Sequence, residues 1–419
     1  MTTADEMQAL AVQALEMHKK VRGKVKIYPN FNIRNEDDLS LVYVPGTAPV
    51  CRAIEKDRNL TYEYTGRGNR MAVVCDGSAV HGMGNIGPYA ALPMVEGKCL
   101  VLKQYGDINA IPIAVDTHSF EEVIALCRML VPTMGAINIE NISSPNTFSV
   151  IRKLDGELDI PILCDDQQGS AVVVLAALQN ALTLTGKNID EIKIVIIGSG
   201  ASGSATAELL LTAGVQNLVL VNATGILSES NPNMDPVETV LAGKTNPERL
   251  RGGLNEALAG ADVLIGLSVG NIVTEEHIKK MGSKPVVFAM AMPTPEIERE
   301  RALAAGAYIY ASGNAKEPNS LMNIQAFPGM ARGAMDIQAK RFTDNMALAA
   351  ANALSSVVDK RRLTPEHMFP GFFGNATTPG IAEAVAQAAI ADGVAKTHLD
   401  PGEVYSHCWN RLYGRVNHI

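Results

Sequence analysis

The chain has 419 residues, 47% of them hydrophobic and 19% charged, which supplies apolar mass for two or three cores and argues against disorder. Lys and Arg number 36 against 44 Asp and Glu, and a net charge of −8 argues against a general binder of nucleic acid or anionic membrane. With a single Trp and 5% aromatic residues, stacking platforms for single strands are not expected either.

The spacing of Leu10, Val12, Leu15 and Met17 predicts an amphipathic helix over residues 5–20, and 30–52 reads as turn-rich. A buried strand is expected at 71–74, opening into a loop that holds Asp76, Gly77, Gly82, Gly84 and Gly87. Helical material follows at 89–97, then strand-like runs at 99–102 and 111–115. Ser119, with Glu122 three residues on, predicts the N-terminus of a helix over 119–130. Strands at 136–139 and 160–163 run into Glu140 and into the pair Asp165-Asp166, and carboxyl ends of strands are where open α/β sheets place catalytic groups. A long apolar helix over 170–184 ends at Gly186.

From there the pattern becomes alternating strand and helix. Strands are predicted at 192–197, 218–221, 263–267, 286–291 and 307–311, and Ala-rich helices at 343–358 and 379–392. The predicted fold is therefore α/β: an N-terminal α/β substrate domain over 1–170, a Rossmann-type parallel-sheet domain over 171–345 and a helical C-terminal segment over 346–419. The six cysteines, at 51, 75, 99, 127, 164 and 408, form no C-x-x-C pair, so reduced thiols are expected. No signal-peptide pattern opens the chain and no apolar stretch reaches the ~20 residues of a membrane span, so a cytoplasmic location is expected.

Gly198-Ser199-Gly200-Ala201-Ser202-Gly203 follows a predicted strand and opens a predicted helix. In that setting G-x-G-x-x-G is a dinucleotide fingerprint, with the glycines and the helix N-terminus approaching a pyrophosphate. The strand that follows should end in an acid to hold the ribose 2′-hydroxyl, yet it ends in Asn222. Asn removes the charge that repels a 2′-phosphate, and Lys244, Arg249 and Arg251 are the nearest basic residues in sequence, so NAD and NADP stay open.

Several segments together resemble one family. Leu39-Ser40-Leu41-Val42-Tyr43-Val44-Pro45-Gly46 is similar to L-S-x-x-Y-T-P-G of malic enzymes, and residues 76–88 to their D-G-T-A-V-L-G-L-G-N-I-G-P loop. Pro93-Met94-Val95-Glu96-Gly97-Lys98 resembles P-V-M-E-G-K, Ile137-Asn138-Ile139-Glu140-Asn141-Ile142 resembles I-N-L-E-D-I, and residues 165–170 resemble D-D-Q-H-G-T. Residues 288–297 and 326–334 continue the match in order. The resemblance implies oxidative decarboxylation of malate to pyruvate and CO2 with NAD or NADP and Mg or Mn. It assigns Lys98 as general base, Tyr43 as the acid that returns a proton to the enol, and Glu140, Asn141, Asp165 and Asp166 to the metal. Gly198, Gly200, Ala201, Ser202, Gly203, Asn222 and Asn323 fall to the cofactor, and a homo-oligomer, a dimer, is implied.

Four departures lie inside these motifs. Asn141 stands where a metal-binding Asp is expected, Met292 replaces the Asn of N-P-T, Met322 replaces the first Asn of N-N, and Cys164 and Gln168 replace two histidines. Alternative functions follow: an oxaloacetate decarboxylase, an enzyme for a more apolar 2-hydroxy acid, or a nucleotide-binding regulatory protein without catalysis.

Overall fold

The computed structural model describes residues 4–414 except 118, 232 and 373, with side chains from residue 8 onward. Four strands make the first sheet: β1 (Arg70–Cys75), β2 (Asn109–Ala114), β3 (Ala136–Ile139) and β4 (Ile162–Leu163). They lie in the order β2-β1-β3-β4, all parallel, with Met71 level with both Ala110 and Ala136. Helices cover both faces, which is why β1 and β3 read as continuous apolar runs rather than as alternation.

The second sheet holds β5 (Lys193–Ile197), β6 (Asn217–Asn222), β7 (Gly225–Ile226), β8 (Val263–Gly266), β9 (Val286–Ala289) and β10 (Ile309–Ser312). Its order is β10-β9-β8-β5-β6-β7, parallel except for the short hairpin strand β7. The chain enters at β5, builds outward to β6, then crosses back to β8 on the other side. That reversal puts a crevice beyond the carboxyl end of β5, where ligands of open α/β sheets bind.

Two local expectations are corrected. Residues 99–102 are not a strand but the interior of a helix, Gly87–Gly106. Cys99 and Leu102, three residues apart, both face the core at 0% exposure, whereas Leu100 is 39% exposed, a helical rather than an alternating pattern. The stretch 30–52 contains the helix Glu36–Val42, capped by Asn35 Oδ1 on Asp38 N at 2.8 Å, and the start of a helix Thr47–Lys56. Pro45 and Gly46 occupy only the connection between them. Neither helix buries a residue, and the Pro45-Gly46 connection between them reads in the sequence as a turn signal.

The helices Phe327–Asp336, Asp344–Ser355 and Thr377–Ala391 pack with the helix Ser170–Thr185 in one apolar core that also takes residues from both sheets. One described stretch, Asp165–Thr185, is long and apolar enough by composition to cross a membrane, but 78% of its most apolar window is buried inside the fold. All six cysteines are free thiols, and burial pushes those of Cys75, Cys99 and Cys127 up to about 12.

Arg332 ties the C-terminal helices to the first domain. Its buried guanidinium meets Asp336 Oδ1 at 2.7 Å and Asn69 Oδ1 at 2.5 Å, just before β1. Removing one partner of a buried pair leaves the other charge uncompensated. Asp336→Ala is therefore expected to cost about 3–5 kcal/mol, and Asp336→Asn markedly less, in denaturant unfolding of the two variants. Equal stability of Asp336→Ala and the parent would show that the pair does not support the fold.

Candidate active site

Strand ends and one helix bring four ionisable side chains together. β3 runs into Glu140 and Asn141, and β4 runs through Cys164 into Asp165 and Asp166, which begin a single turn of π-helix over Asp165–Gly169. Such turns displace the backbone register and recur at functional sites. The helix Gly87–Gly106 crosses above and supplies Lys98, whose Nζ is ion-paired with Asp165 Oδ2 and lies 3.4 Å from Glu140 Oε1. The Phe327 ring lies 5.8 Å beyond the ammonium.

Asn138, one pleat back on β3, was not singled out by the sequence reading. Its Nδ2 donates to Glu140 Oε2 at 2.7 Å and its Oδ1 accepts from Asp165 N at 3.2 Å, so one amide sets the positions of two carboxylates. Only the alternation of a strand could have hinted at this, since residues two apart share a face. Cys164 and Gln168 keep to the turn itself, where Gln168 Oε1 accepts from Cys164 N at 2.9 Å.

The charges in this cluster do not balance. Glu140, Asp165 and Asp166 bring three carboxylates against the one ammonium of Lys98. Burial, opposed by Lys98 and helped by the neighbouring Asp166 charge, drives the Glu140 carboxyl up to about 7. Asn141 takes the left-handed conformation at φ 53° and donates its N–H to Asp166 Oδ2 at 2.9 Å. Its side-chain Oδ1 is buried without a hydrogen-bond partner, as is Asp165 Oδ1. Among the described residues no three His, Cys, Asp or Glu side chains form a ready metal set. The oxygen-only acceptors, the two unpartnered oxygens and the residual charge nevertheless suit a hard divalent cation.

The glycine loop lies directly against this cluster. Gly198 has φ 109°, and a Cβ there would stand 2.4 Å from Leu267 O. A Cβ on Gly203 would collide with Gly198 O, whereas one on Gly200 would meet nothing within 4 Å. Turn, open approach and close packing are the three roles the fingerprint requires, and they fit a dinucleotide pyrophosphate at the helix Ala201–Thr212. From that helix Ser202 Oγ donates to Asp166 O at 2.7 Å. Asn323 Nδ2 donates to Asp165 O and to Ser170 Oγ, both at 3.1 Å, so its amide fastens the acidic turn.

A cleft of about 620 Å³ opens between the loop that holds Val80, His81 and Gly82 and the ends of β8 and β9, and Ser202 is among its lining residues. Met292 lines it and Met322 does not. Asn222 lies at the far side of the glycine loop, with Nδ2 donating to Glu238 Oε1 at 2.8 Å. Glu238 went unnoticed in the sequence because its Asp235-Pro236-Val237-Glu238 segment announces only a helix start. Tyr43 is the predicted residue that does not join the others. It caps the helix Glu36–Val42, the residue is 69% exposed, and no hydrogen bond of its hydroxyl is seen among the described residues.

Two family models match separate parts of the chain. Residues 21–121 match the model of the malic enzyme N-terminal domain, and residues 167–390 that of the malic enzyme NAD binding domain. The chain is 42% identical over 397 residues to the bifunctional malic/malolactic enzyme of Bacillus subtilis, covering 94% of this chain and 97% of that protein. The crystal structure of malic enzyme from Pyrococcus horikoshii superposes with a TM-score of 0.92 at 39% identity, covering 96% of both chains. The NAD-dependent malic enzyme of Thermotoga maritima gives 0.86 at 44% identity, covering 89% of this chain and 98% of that one. Similar proteins include both NAD-dependent and NADP-dependent malic enzymes. With both of its domains and its whole fold matched, the chain belongs to the malic enzyme family.

Proposed function

We propose that the chain oxidatively decarboxylates malate, or a closely related 2-hydroxy acid, to pyruvate and CO2, using NAD or NADP and a divalent metal, Mg or Mn. The observation that carries this reading is the hydrogen bond from Ser202 in the glycine loop to Asp166 in the acidic cluster. It puts a dinucleotide site and a lysine–carboxylate site in contact, as hydride transfer next to proton transfer requires. A bound nicotinamide would supply the hydride acceptor for C2 and a divalent cation Lewis acidity at the C2 oxygen.

This chain's own residues handle the protons and the geometry. Lys98, paired with Asp165 and Glu140, would act as the base for the C2 hydroxyl proton once its own ammonium proton has passed to one of those carboxylates. Glu140, Asp166 and Asn141 Oδ1 would hold the metal, with Asp165 beside them keeping one oxygen on Lys98. Loss of CO2 then leaves an enolate that needs one proton at C3, so the protons removed and returned balance. The proposed donor is Tyr43. In a single chain its hydroxyl lies outside the cluster, so that role requires a second copy to bring it in. The same segment exposes Leu39, Leu41, Val42 and Val44, an apolar surface suited to a homodimer. The dimer is proposed to work in the cytoplasm. Met292 in the cleft wall favours, as a second reading, a 2-hydroxy acid with a more apolar end.

The decisive assay supplies Mn, NAD or NADP, and malate or oxaloacetate, and follows reduced nicotinamide and CO2 together. CO2 from oxaloacetate with no reduction of nicotinamide by malate would replace the oxidative reading with simple decarboxylation. Lys98→Ala is expected to lower turnover by roughly 10²–10⁴-fold while dinucleotide affinity stays unchanged. Mixing refolded Lys98→Ala and Tyr43→Phe subunits should restore roughly one quarter of parent activity, since half the dimers then carry one intact site made from both copies. No recovery would place the tyrosine in its own subunit's site, and full activity of Tyr43→Phe alone would place it outside the chemistry.

The metal site gives a separate test. Asn141 offers an oxygen without charge, so Mn should bind the substrate-free protein weakly, and Asn141→Asp should bind it more tightly by calorimetric titration. Equal or weaker binding by the Asp variant would remove residue 141 from the ligand set.

A further inference from the structure

The carboxyl end of β6 carries an acid that does not come from β6. Glu238, on the helix Pro236–Ala242, points Oε1 at two side-chain donors, Ser199 Oγ at 2.5 Å and Asn222 Nδ2 at 2.8 Å. Ser199 is the second residue of the glycine loop. Asn222 is the last residue of β6, one step beyond the paired Ile197 and Val221. In sheets of this type that position faces the adenosine ribose.

Asn222 is poorly placed to serve the ribose itself. Its Oδ1 is taken by Thr224 N at 2.9 Å and Thr224 Oγ1 at 2.7 Å, and its Nδ2 is taken by Glu238. Both polar atoms are engaged, and the charge at this corner belongs to Glu238. A purely structural role explains only half of that side chain. Oε2 accepts from Asp235 N at 3.1 Å and completes the cap of its own helix, which needs a single oxygen. Oε1 gathers two donors from the dinucleotide corner, and the cap does not call for them. The carboxylate is half-buried, and the groups acting on it are Ser199, Asn222 and the Asp235 backbone, with no lysine or arginine. Lys244, the nearest basic residue in sequence, acts electrostatically on Glu208 and is not among the groups acting on Glu238.

We propose that Glu238 is the residue by which this chain selects NAD over NADP, its carboxylate accepting from the adenosine-ribose 2′-hydroxyl and repelling a 2′-phosphate. The inference rests on the dinucleotide site read above and makes its cofactor choice specific. The acid has moved from the strand end to the following helix, and Asn222 hands its place to it through a hydrogen bond.

The test is calorimetric titration of NAD, NADP and NAD lacking the adenosine 2′-hydroxyl into the full-length protein and its Glu238→Gln variant. The parent is expected to bind NAD about 30-fold more tightly than NADP, and to lose about fivefold toward the deoxy analogue. Glu238→Gln should narrow the NAD-to-NADP ratio by about tenfold, mainly through tighter NADP binding, and should no longer distinguish the deoxy analogue. Should that variant not fold, Glu238→Asp takes its place, its shorter carboxylate expected to narrow the NAD-to-NADP ratio and an unchanged ratio overturning the assignment. Equal parent affinities for NAD and NADP, or an unchanged ratio in folded Glu238→Gln, would overturn the assignment and leave the dinucleotide site standing. Binding of neither dinucleotide would overturn both.

Discussion

The Lys98 ammonium, fixed between Asp165 and Glu140, is the interaction around which the first domain is arranged. A buried ion pair is stable only when its remaining oxygens and protons find partners. Here the Asn138 amide supplies the partner of Glu140 Oε2 and is itself held by the Asp165 N–H, while Asp165 Oδ1 stays buried without one. Even so, three carboxylates face one ammonium, and Glu140 shows the strain in a carboxyl driven up to about 7. A fold keeps such a cluster when something outside the chain completes it. Replacing it with apolar side chains would be the easier route to stability alone.

The second sheet is attached to this cluster through neutral groups. Ser202 reaches the Asp166 carbonyl and Asn323 reaches the Asp165 carbonyl, so backbone oxygens take the structural hydrogen bonds. The Asp165 carboxylate of the same residue is left to the lysine, with Oδ1 open to whatever binds. Between the sheets runs the helix Ser170–Thr185, which begins at the acidic turn and is buried along most of its length. Its amide Asn180 donates to Ser355 O at 3.0 Å and Met368 O at 2.9 Å, and so ties the same spine to the C-terminal helices. A displacement of the glycine loop relative to Lys98 would have to break packed core as well as hydrogen bonds.

Legibility in the sequence followed physical scale. Strands buried on both faces and the glycine turn between them are written in contiguous residues, and 193–197 with its loop was readable at once. The helix Gly87–Gly106 was misread at 99–102 because an apolar tetrapeptide has no period of its own. The helices of 36–56 were hidden because each is short and the Pro45-Gly46 between them signals a turn. In the site, Lys98, Glu140, Asp165 and Asp166 were found because motif order places them, and the fold brings them together. Asn138 and Glu238 were missed because each acts through a hydrogen bond to another side chain, a relation that exists only after folding. Tyr43 is legible as a motif residue, yet one folded copy leaves it in solvent.

Two asparagines stand where an acid is expected, and they resolve differently. At the end of β6 the missing charge returns from another element: Asn222 donates to Glu238, and the corner stays negative. At the end of β3 the Asn141 oxygen stays buried with no donor facing it, and its N–H is committed to Asp166. The first substitution therefore relocates a charge, while the second removes one and preserves an oxygen. A carbonyl oxygen can still complete a shell of oxygen ligands, but it cannot draw a cation out of water as a carboxylate does. The same residue type thus keeps the electrostatics of the dinucleotide corner and weakens those of the acidic cluster. A substrate bringing its own carboxylate beside Asn141 would restore what the chain has given up there, coupling occupancy of the cluster to arrival of the acid it acts upon.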